Sequence, residues 1–423
     1  MLLSLIIFIP TISLVMIRPR PLNEATAAAL GAVLMIIAGV ISPIQTWEVL
    51  KGSANILLFF LGLMLISIVA EKAGFFAWCA VKAVKAARGR GTLLLAIVFG
   101  LGTLITAFFS NDATALILTP IVFNLVSRLK LNAVPYVFAC AFIANTASVL
   151  LPVSNPVNLL AVEQFNITLG EYLKYLFIPS LLTISVNIGL FYLIFRRLIS
   201  SVSKETIQNE PVKVDKFFLS ISAGLAITAL GYIMVSIYGL SLAYPAMGGA
   251  IFLLACGFGF RRLKISTVTS GISWYLFLFI FALTLLIKGL ENAGVTRALA
   301  DGLSELASHG TLAALGSLTI GTALGSNLVN NWSMMMISLS SLNGLAAGSE
   351  LDKILVYGTI IGADIGPNIT ILGSLSSMLW LVLLRQRGLE IRPLDYLKLG
   401  IVVTPVILIV GVLSLYACGI IFR

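Results

Sequence analysis

Residues 93–126 read LLLAIVFGLGTLITAFFSNDATALILTPIVFNLV, and residues 135–163 follow as PYVFACAFIANTASVLLPVSNPVNLLAVE. Each is a long apolar run interrupted by polar residues, and the interruptions decide the fold. In the first, Leu93 to Ala107 is nearly free of polarity before Ser110-Asn111-Asp112, and apolar sequence resumes at Ala113. In the second, Pro152-Val153-Ser154-Asn155-Pro156 contains two prolines, which supply no amide donor and disfavour helical geometry in the residue before them. Backbone freed from a helix inside hydrocarbon is costly, so such breaks survive only where protein or a polar cavity covers them. Two breaks this close in sequence point to a binding site near the middle of a membrane.

The composition fits that reading: of 423 residues, 59% are apolar and 10% charged. About ten stretches approach the roughly 20 apolar residues that cross a bilayer, so the expected class is an all-α polytopic membrane protein with about 10 transmembrane helices. Barrel strands would instead read as short alternating segments. Residues 1–17 lack a preceding basic region and a small-residue cleavage pattern, and are expected to be a retained span. Cys79, Cys140, Cys256 and Cys418 show no metal or redox spacing. The net charge of +10 is explained by loop charges that orient a membrane protein, and no nucleic-acid partner is expected.

In order, spans are expected near 1–17, 22–42 and 53–70, then an amphipathic surface piece at 75–90 with Lys82, Lys85 and Arg88. A hairpin at 92–127, a broken helix at 135–163 and a span at 171–195 complete a first unit, residues 1–195. The mixed-charge stretch 196–216 forms a cytoplasmic loop. The order then repeats over 217–423: spans near 217–238, 242–260 and 271–289, an amphipathic piece at 295–309, a hairpin at 311–345 broken at Ser326-Asn327-Leu328-Val329-Asn330-Asn331, a broken helix at 353–385 and a last span at 396–422. A shift of 220 places Glu71, Ala73 and Gly74 on Glu291, Ala293 and Gly294, and Asn111 on Asn331; a shift of 219 places Asn145 on Asp364. Five spans plus one interrupted hairpin per unit make the repeat inverted.

With the N-terminus outside, the cytoplasmic face collects 21 of the 27 basic residues, among them Arg18, Arg20, Lys72, Arg128, Lys130, Arg261, Arg262 and Arg385. Both termini are then expected on the outer side of the membrane. Loop charge does not distinguish re-entrant hairpins from pairs of full spans; tips rich in serine and asparagine favour re-entrant hairpins lining a cavity.

Asp112 and Asp364 are the two acidic residues inside interrupted apolar segments, one per half. A carboxylate there normally faces a polar interior and marks an ion or proton path. The competing reading is a half-helix cap, equally weighted for Asp112 and less so for Asp364. Ser110, Asn111, Thr114, Ser154, Asn155, Asn330, Asn331, Asn368, Thr370 and Ser374 offer donors and acceptors suited to a small hydroxylated solute; about half of them would serve only to satisfy freed backbone. His309 is the one histidine, so no histidine-based metal site and no cofactor are expected. The absence of a nucleotide-binding glycine-lysine loop argues against an ATPase. Gly362-Ala363-Asp364 lacks the second glycine of the Gly-x-Gly-Asp pattern, which counts against an intramembrane aspartyl protease.

At these breaks the chain resembles the arsenical pump membrane proteins, bacterial arsenite and antimonite efflux pumps of the ion transporter superfamily. The likeness is carried by residues 110–120, by 142–148 running on to 153–158, by 326–331, and by Ile361-Gly362-Ala363-Asp364-Ile365-Gly366-Pro367-Asn368-Ile369-Thr370 with Gly373-Ser374-Leu375. Two departures stand out: Asn145 where the family usually has aspartate, and Trp332 where methionine and proline are common. The resemblance implies trivalent arsenic or antimony as substrate, proton antiport, and optional association with a cytoplasmic ATPase subunit; a homodimer is compatible with it. Trihydroxy arsenic would sit between the hairpin tips and the broken helices, with Asp112, and in a second version also Asp364, alternating between proton-bound and free states. The rival readings are a sodium-coupled carboxylate or anion carrier of the same superfamily, a sodium/proton antiporter, and a non-transporting scaffold or receptor.

Overall fold

The computed structural model describes residues 2–17, 24–87, 90–199, 214–238, 240–295, 298, 301–302, 305, 310–342 and 350–422. Among the described residues every regular element is helical. The first half comprises α1 (Leu2–Ile17), α2 (Glu24–Ile37), α3 (Pro43–Lys72), α4 (Phe75–Ala87), α5 (Gly91–Phe108), α6 (Asn111–Ala113), a π-turn over Thr114–Leu118, α7 (Thr119–Arg128), α8 (Val134–Thr146), α9 (Pro156–Gln164) and α10 (Leu169–Phe195). The second comprises α11 (Lys216–Ile237), α12 (Ala243–Gly259), α13 (Ile265–Gly271), α14 (Trp274–Asn292), α15 (Thr311–Val329), α16 (Asn331–Leu342), α17 (Glu350–Ile365), α18 (Leu375–Gln386) and α19 (Pro393–Ile421).

Among the described residues seven segments are long and apolar enough to cross a membrane: α3, α5, α10, α11, α13 with α14, α15 and α19. Two of these, α5 and α15, are hairpin limbs. The helix α3 begins ten residues before the expected span, because Ser42 and Gln45 close a capping box ahead of Pro43. That box satisfies two orphan amides reciprocally and lets a polar first turn be helical. Residues Arg18, Arg20, Arg88, Arg297 and His309, and most of 196–216 and 295–309, lie outside the described residues. The apolar edge of α4 packs inward, with Phe76 and Phe109 edge to face at 5.0 Å beside the first hairpin tip.

The two halves agree in backbone as well as in order. At a shift of 220, Gly74 (φ 79°) falls on Gly294 (φ 77°), and Ser110 (φ 150°) on Asn330 (φ 72°). At a shift of 219, the 3₁₀ turn Pro152–Ser154 falls on Ile371–Gly373, and Asn155, which opens α9, falls on Ser374, which opens α18. Packing is reciprocal too: α3 lies against α12 while its counterpart α14 lies against α2, and α10 lies against α19. The halves thus clasp each other and enclose the breaks between them.

The glycines of the Ile361–Thr370 motif are explained by this packing. A Cβ on Gly362 or Gly366 would strike the backbone of α15 at Thr319 and Ala323. Small residues let apolar helices approach closely where hydrocarbon supplies no drive to associate.

Candidate functional site

A cavity of about 40 Å³ lies where both hairpin tips meet both helix breaks. At roughly 10–15 Å³ per water-sized sphere, it accommodates on the order of three water molecules. Its lining falls into pairs related by the internal registers: Phe60 with Ile280, Asn111 with Asn331, Asp112 with Trp332, Asn155 with Ser374, and Pro156 with Leu375. Asn330, Val157, Leu276 and Phe279 complete it. The site therefore sits on the relation between the halves, and chemistry differs between them chiefly where Asp112 faces Trp332.

Unusual backbone aims the tips. Ser110 and Asn330 hold positive φ, a region that non-glycine residues enter at a cost of order 1–3 kcal/mol and that clusters at functional sites. Local bonds hold them there: the Ser110 Oγ accepts from the Ala113 amide at 3.1 Å, and the Asn330 Oδ1 accepts from the Trp332 amide at 3.0 Å. The Asn111 Oδ1 likewise accepts from the Asp112 amide at 2.9 Å. At the breaks, Asn155 caps α9 through the Val157 amide (3.2 Å) and Ser374 caps α18 through the Ser377 amide (3.2 Å).

The two broken helices are cross-braced. Asp364, fully buried, accepts from the Asn155 Nδ2 at 2.6 Å and from the Asn158 Nδ2 at 2.9 Å, one bond to each carboxyl oxygen. Asn145, its counterpart, donates to the Ser377 hydroxyl at 3.1 Å and accepts from the Ser374 hydroxyl at 3.3 Å. It also donates to the Asn368 Oδ1 at 3.0 Å.

Of the expected binding residues, Asn111, Asn155, Asn330, Asn331 and Ser374 line the cavity together with Asp112. Ser110 faces an adjoining cavity of about 180 Å³, whose wall Asp112 shares. The others are engaged elsewhere. Thr114 bonds Thr106 across the hairpin at 2.7 Å, and Ser154 donates to the Ala107 carbonyl. Asn368 donates to Thr146 at 3.1 Å, and Thr370 donates to the Asn327 Oδ1 at 2.8 Å. Asp364 borders neither cavity. The Asp112 carboxyl is half-buried and has no hydrogen-bond or ion-pair partner among the described residues.

Sequence reasoning did not select Phe60, Ile280 or Phe279, because they belong to ordinary apolar spans; applying the 220 shift to Phe60 would have found its counterpart at Ile280. In the sequence Trp332 stands out only as a departure from the family pattern. Its indole Nε1 is buried without a hydrogen-bond partner among the described residues.

The "Arsenical pump membrane protein" family model matches residues 3–418. An arsenical pump membrane protein of Escherichia coli is 34% identical over 421 residues, covering 98% of each chain. One of Yersinia enterocolitica is 32% identical with the same coverage. Among solved structures, the YdaH transporter of Alcanivorax borkumensis superposes with a TM-score of 0.61 at 14% identity, covering 99% of this chain and 98% of that one. MtrF of Neisseria gonorrhoeae, from a class of antimetabolite efflux pumps, gives 0.55 at 14%, covering 97% and 94%. At that identity the two share only the fold with this chain. The match along nearly the whole length, together with relatives above 30% identity, makes this chain a member of the arsenical pump membrane protein family, a multi-pass membrane transporter.

Proposed function

We propose that this transporter exports trivalent arsenic and antimony from the cytoplasm by proton antiport with alternating access, and that its two halves are inverted repeats. The observation that carries the reading is the small cavity of paired asparagine and serine groups with one unpartnered carboxyl, Asp112. A trihydroxy solute both donates and accepts at each oxygen, which the amides of Asn111, Asn155, Asn330 and Asn331 and the hydroxyl of Ser374 match. Ionised Asp112 accepts a hydrogen bond from one solute hydroxyl. Protonated, it presents a donor in that place. Substrate and proton then compete for one group, which is the condition for exchange.

Asp364 has a different task on this reading. Its two oxygens hold Asn155 and Asn158, so it fixes the break of one half against the other as the pair rearranges. The face carrying Lys72 and α4 is cytoplasmic, the membrane is the inner membrane, and both termini are periplasmic. A cytoplasmic ATPase subunit, where one is used, would dock on that face near residues 196–216, and a homodimer is compatible with this arrangement.

Trivalent arsenic uptake into everted vesicles tests the proposal, with an interior-acid proton gradient imposed and then collapsed, and antimonite, sodium and citrate as challengers. Gradient-dependent uptake blocked by antimonite is the expected result. Sodium-dependent citrate movement or sodium/proton exchange without arsenic uptake would overturn it.

A further inference from the structure

We infer that Glu71 takes protons from Asp112 and releases them at the cytoplasmic face, as the carboxylate at the mouth of a side passage adjoining the substrate cavity. The inference rests on the reading of Asp112 as the coupling group. The 180 Å³ cavity that reaches Asp112 is lined along one face of α3 by Phe60, Leu63, Met64, Ser67, Ile68 and Glu71. Their spacing of 3, 4, 7, 8 and 11 residues is one helical stripe, and from Phe60 to Glu71 it runs about 16 Å. Phe60 also lines the central cavity, so the passage starts at the level of the hairpin tip and opens at the end of α3.

Among the described residues Glu71 and Asp112 are the only ionisable side chains lining the passage; α9, α13, α14 and α18 contribute none, and Lys72 is the next residue after Glu71. The hydroxyls of Ser67, Ser110 and Ser273 lie along the passage, which has space for a chain of on the order of ten waters. A proton leaving the Asp112 carboxyl to the nearest water would travel along that chain as hydronium and neutralise the Glu71 carboxylate, which then gives it up at the cytoplasmic face. The cavity lined by Asn55, Pro152 and Glu163 reaches a break but not Asp112; Asn55 is about 24 Å from Glu71 along the same helix.

The second half supplies an internal control. Glu71 falls on Glu291, and both sit at a helix C-terminus, where the macrodipole opposes a negative charge. Glu291 is neutralised by Lys288 at 3.0 Å. The position matching Lys288 holds Ile68, and the Glu71 carboxylate has no ion pair or hydrogen bond among the described residues. The position matching Asp112 holds Trp332. The unpaired glutamate and the cavity aspartate therefore occur together in one half and are absent together from the other.

The test uses full-length protein in everted vesicles, normalised to the amount of protein in the membrane. It compares wild type, Glu71→Gln, Glu71→Asp and Glu291→Gln in gradient-driven arsenite uptake and in arsenite/arsenite exchange at zero gradient, which needs no net proton movement. The expected result is that Glu71→Gln slows driven uptake about tenfold or more, a usual size for a lost proton-transfer group, while exchange is retained. Glu71→Asp restores driven uptake, and Glu291→Gln leaves both near wild type. Unchanged driven uptake in Glu71→Gln, or loss of uptake and exchange together, would overturn the inference while leaving antiport intact. A wild type that shows no gradient-driven uptake removes the antiport reading and this inference with it.

Discussion

Asp364 and Asn145 occupy the same position in the two halves, and each reaches across to the residues that open the other half's second half-helix. Asp364 holds Asn155 and Asn158; Asn145 holds Ser374 and Ser377. Adding 219 to one set of contacts yields the other. In this chain the carboxylate remains on one brace only, and an amide with serine hydroxyls makes the other.

The two aspartates should therefore fail differently. Asp364→Asn supplies one acceptor where two amide donors need one each, so a buried donor loses its partner at about 1–3 kcal/mol. Its melting temperature in detergent should fall. Asp112→Asn removes no bond among the described residues and should melt near wild type, within about 0.5 kcal/mol, while gradient-driven arsenite uptake is abolished. Equal thermal losses in the two variants would contradict the assignment.

The close approach of α17 to α15 yields a second contrast. Gly366→Ala places a methyl against the backbone of α15 at Ala323 and should cost about 1–3 kcal/mol or more, since backbone cannot step aside as a side chain does. Gly321→Ala, on α15 with nothing within 4 Å of the added carbon, should be neutral or stabilise by about 0.4–1 kcal/mol. Thermal melting of the two purified variants checks the order.

Much of this architecture was legible because breaks in apolar helices advertise themselves. One proline pair, two clusters of serine and asparagine and one glycine-proline step marked the four interruptions, and the shifts of 220 and 219 marked the repeat. What the residues did not reveal was which polar groups face inward. Thr114, Ser154, Asn368 and Thr370 were indistinguishable in composition from Asn111 or Ser374, yet Thr106, the Ala107 carbonyl, Thr146 and Asn327 occupy them. Those partners lie on other elements, or one helical turn or more away. The sparse identity between halves also has a spatial cause. Gly102 gives room to Ile143 in the first half, whereas Thr322 faces Gly362 in the second. Each crossing keeps one glycine beside a β-branched residue while the glycine changes sides, so letter-by-letter comparison misses the match.

Trp332 takes the place that matches Asp112, and its indole closes one wall of the cavity. Trp332→Ala should enlarge a space now limited to about 40 Å³ and remove an unpartnered donor. Looser packing around a small solute should raise the KM for arsenite by about tenfold with less effect on the maximal rate, the pattern of lost ground-state binding. Trp332→Phe, which keeps the bulk and removes only the N–H, should fall between. Initial rates of vesicle uptake across an arsenite series separate the three proteins.

The strained tip residues make the last prediction. Ser110 has φ 150°, a conformation that glycine adopts freely and that costs other residues about 1–3 kcal/mol. Ser110→Gly relieves that strain and gives up the bond from the Ala113 amide, for which a change to glycine costs only a few tenths of a kcal/mol. The variant should therefore melt higher than wild type by about 1 kcal/mol of stability, the smaller end of the strain less the lost cap. Transport should move the other way, because Ser110 adjoins Asn111 and Asp112 and fixes their approach to the cavity; freeing its backbone spreads them over more orientations. Ser110→Ala keeps the strain and loses the cap, and should be less stable than wild type by about 1 kcal/mol. Melting curves and uptake rates that fell together in Ser110→Gly would mean that the unusual backbone is merely tolerated and does not hold the tip in its working geometry.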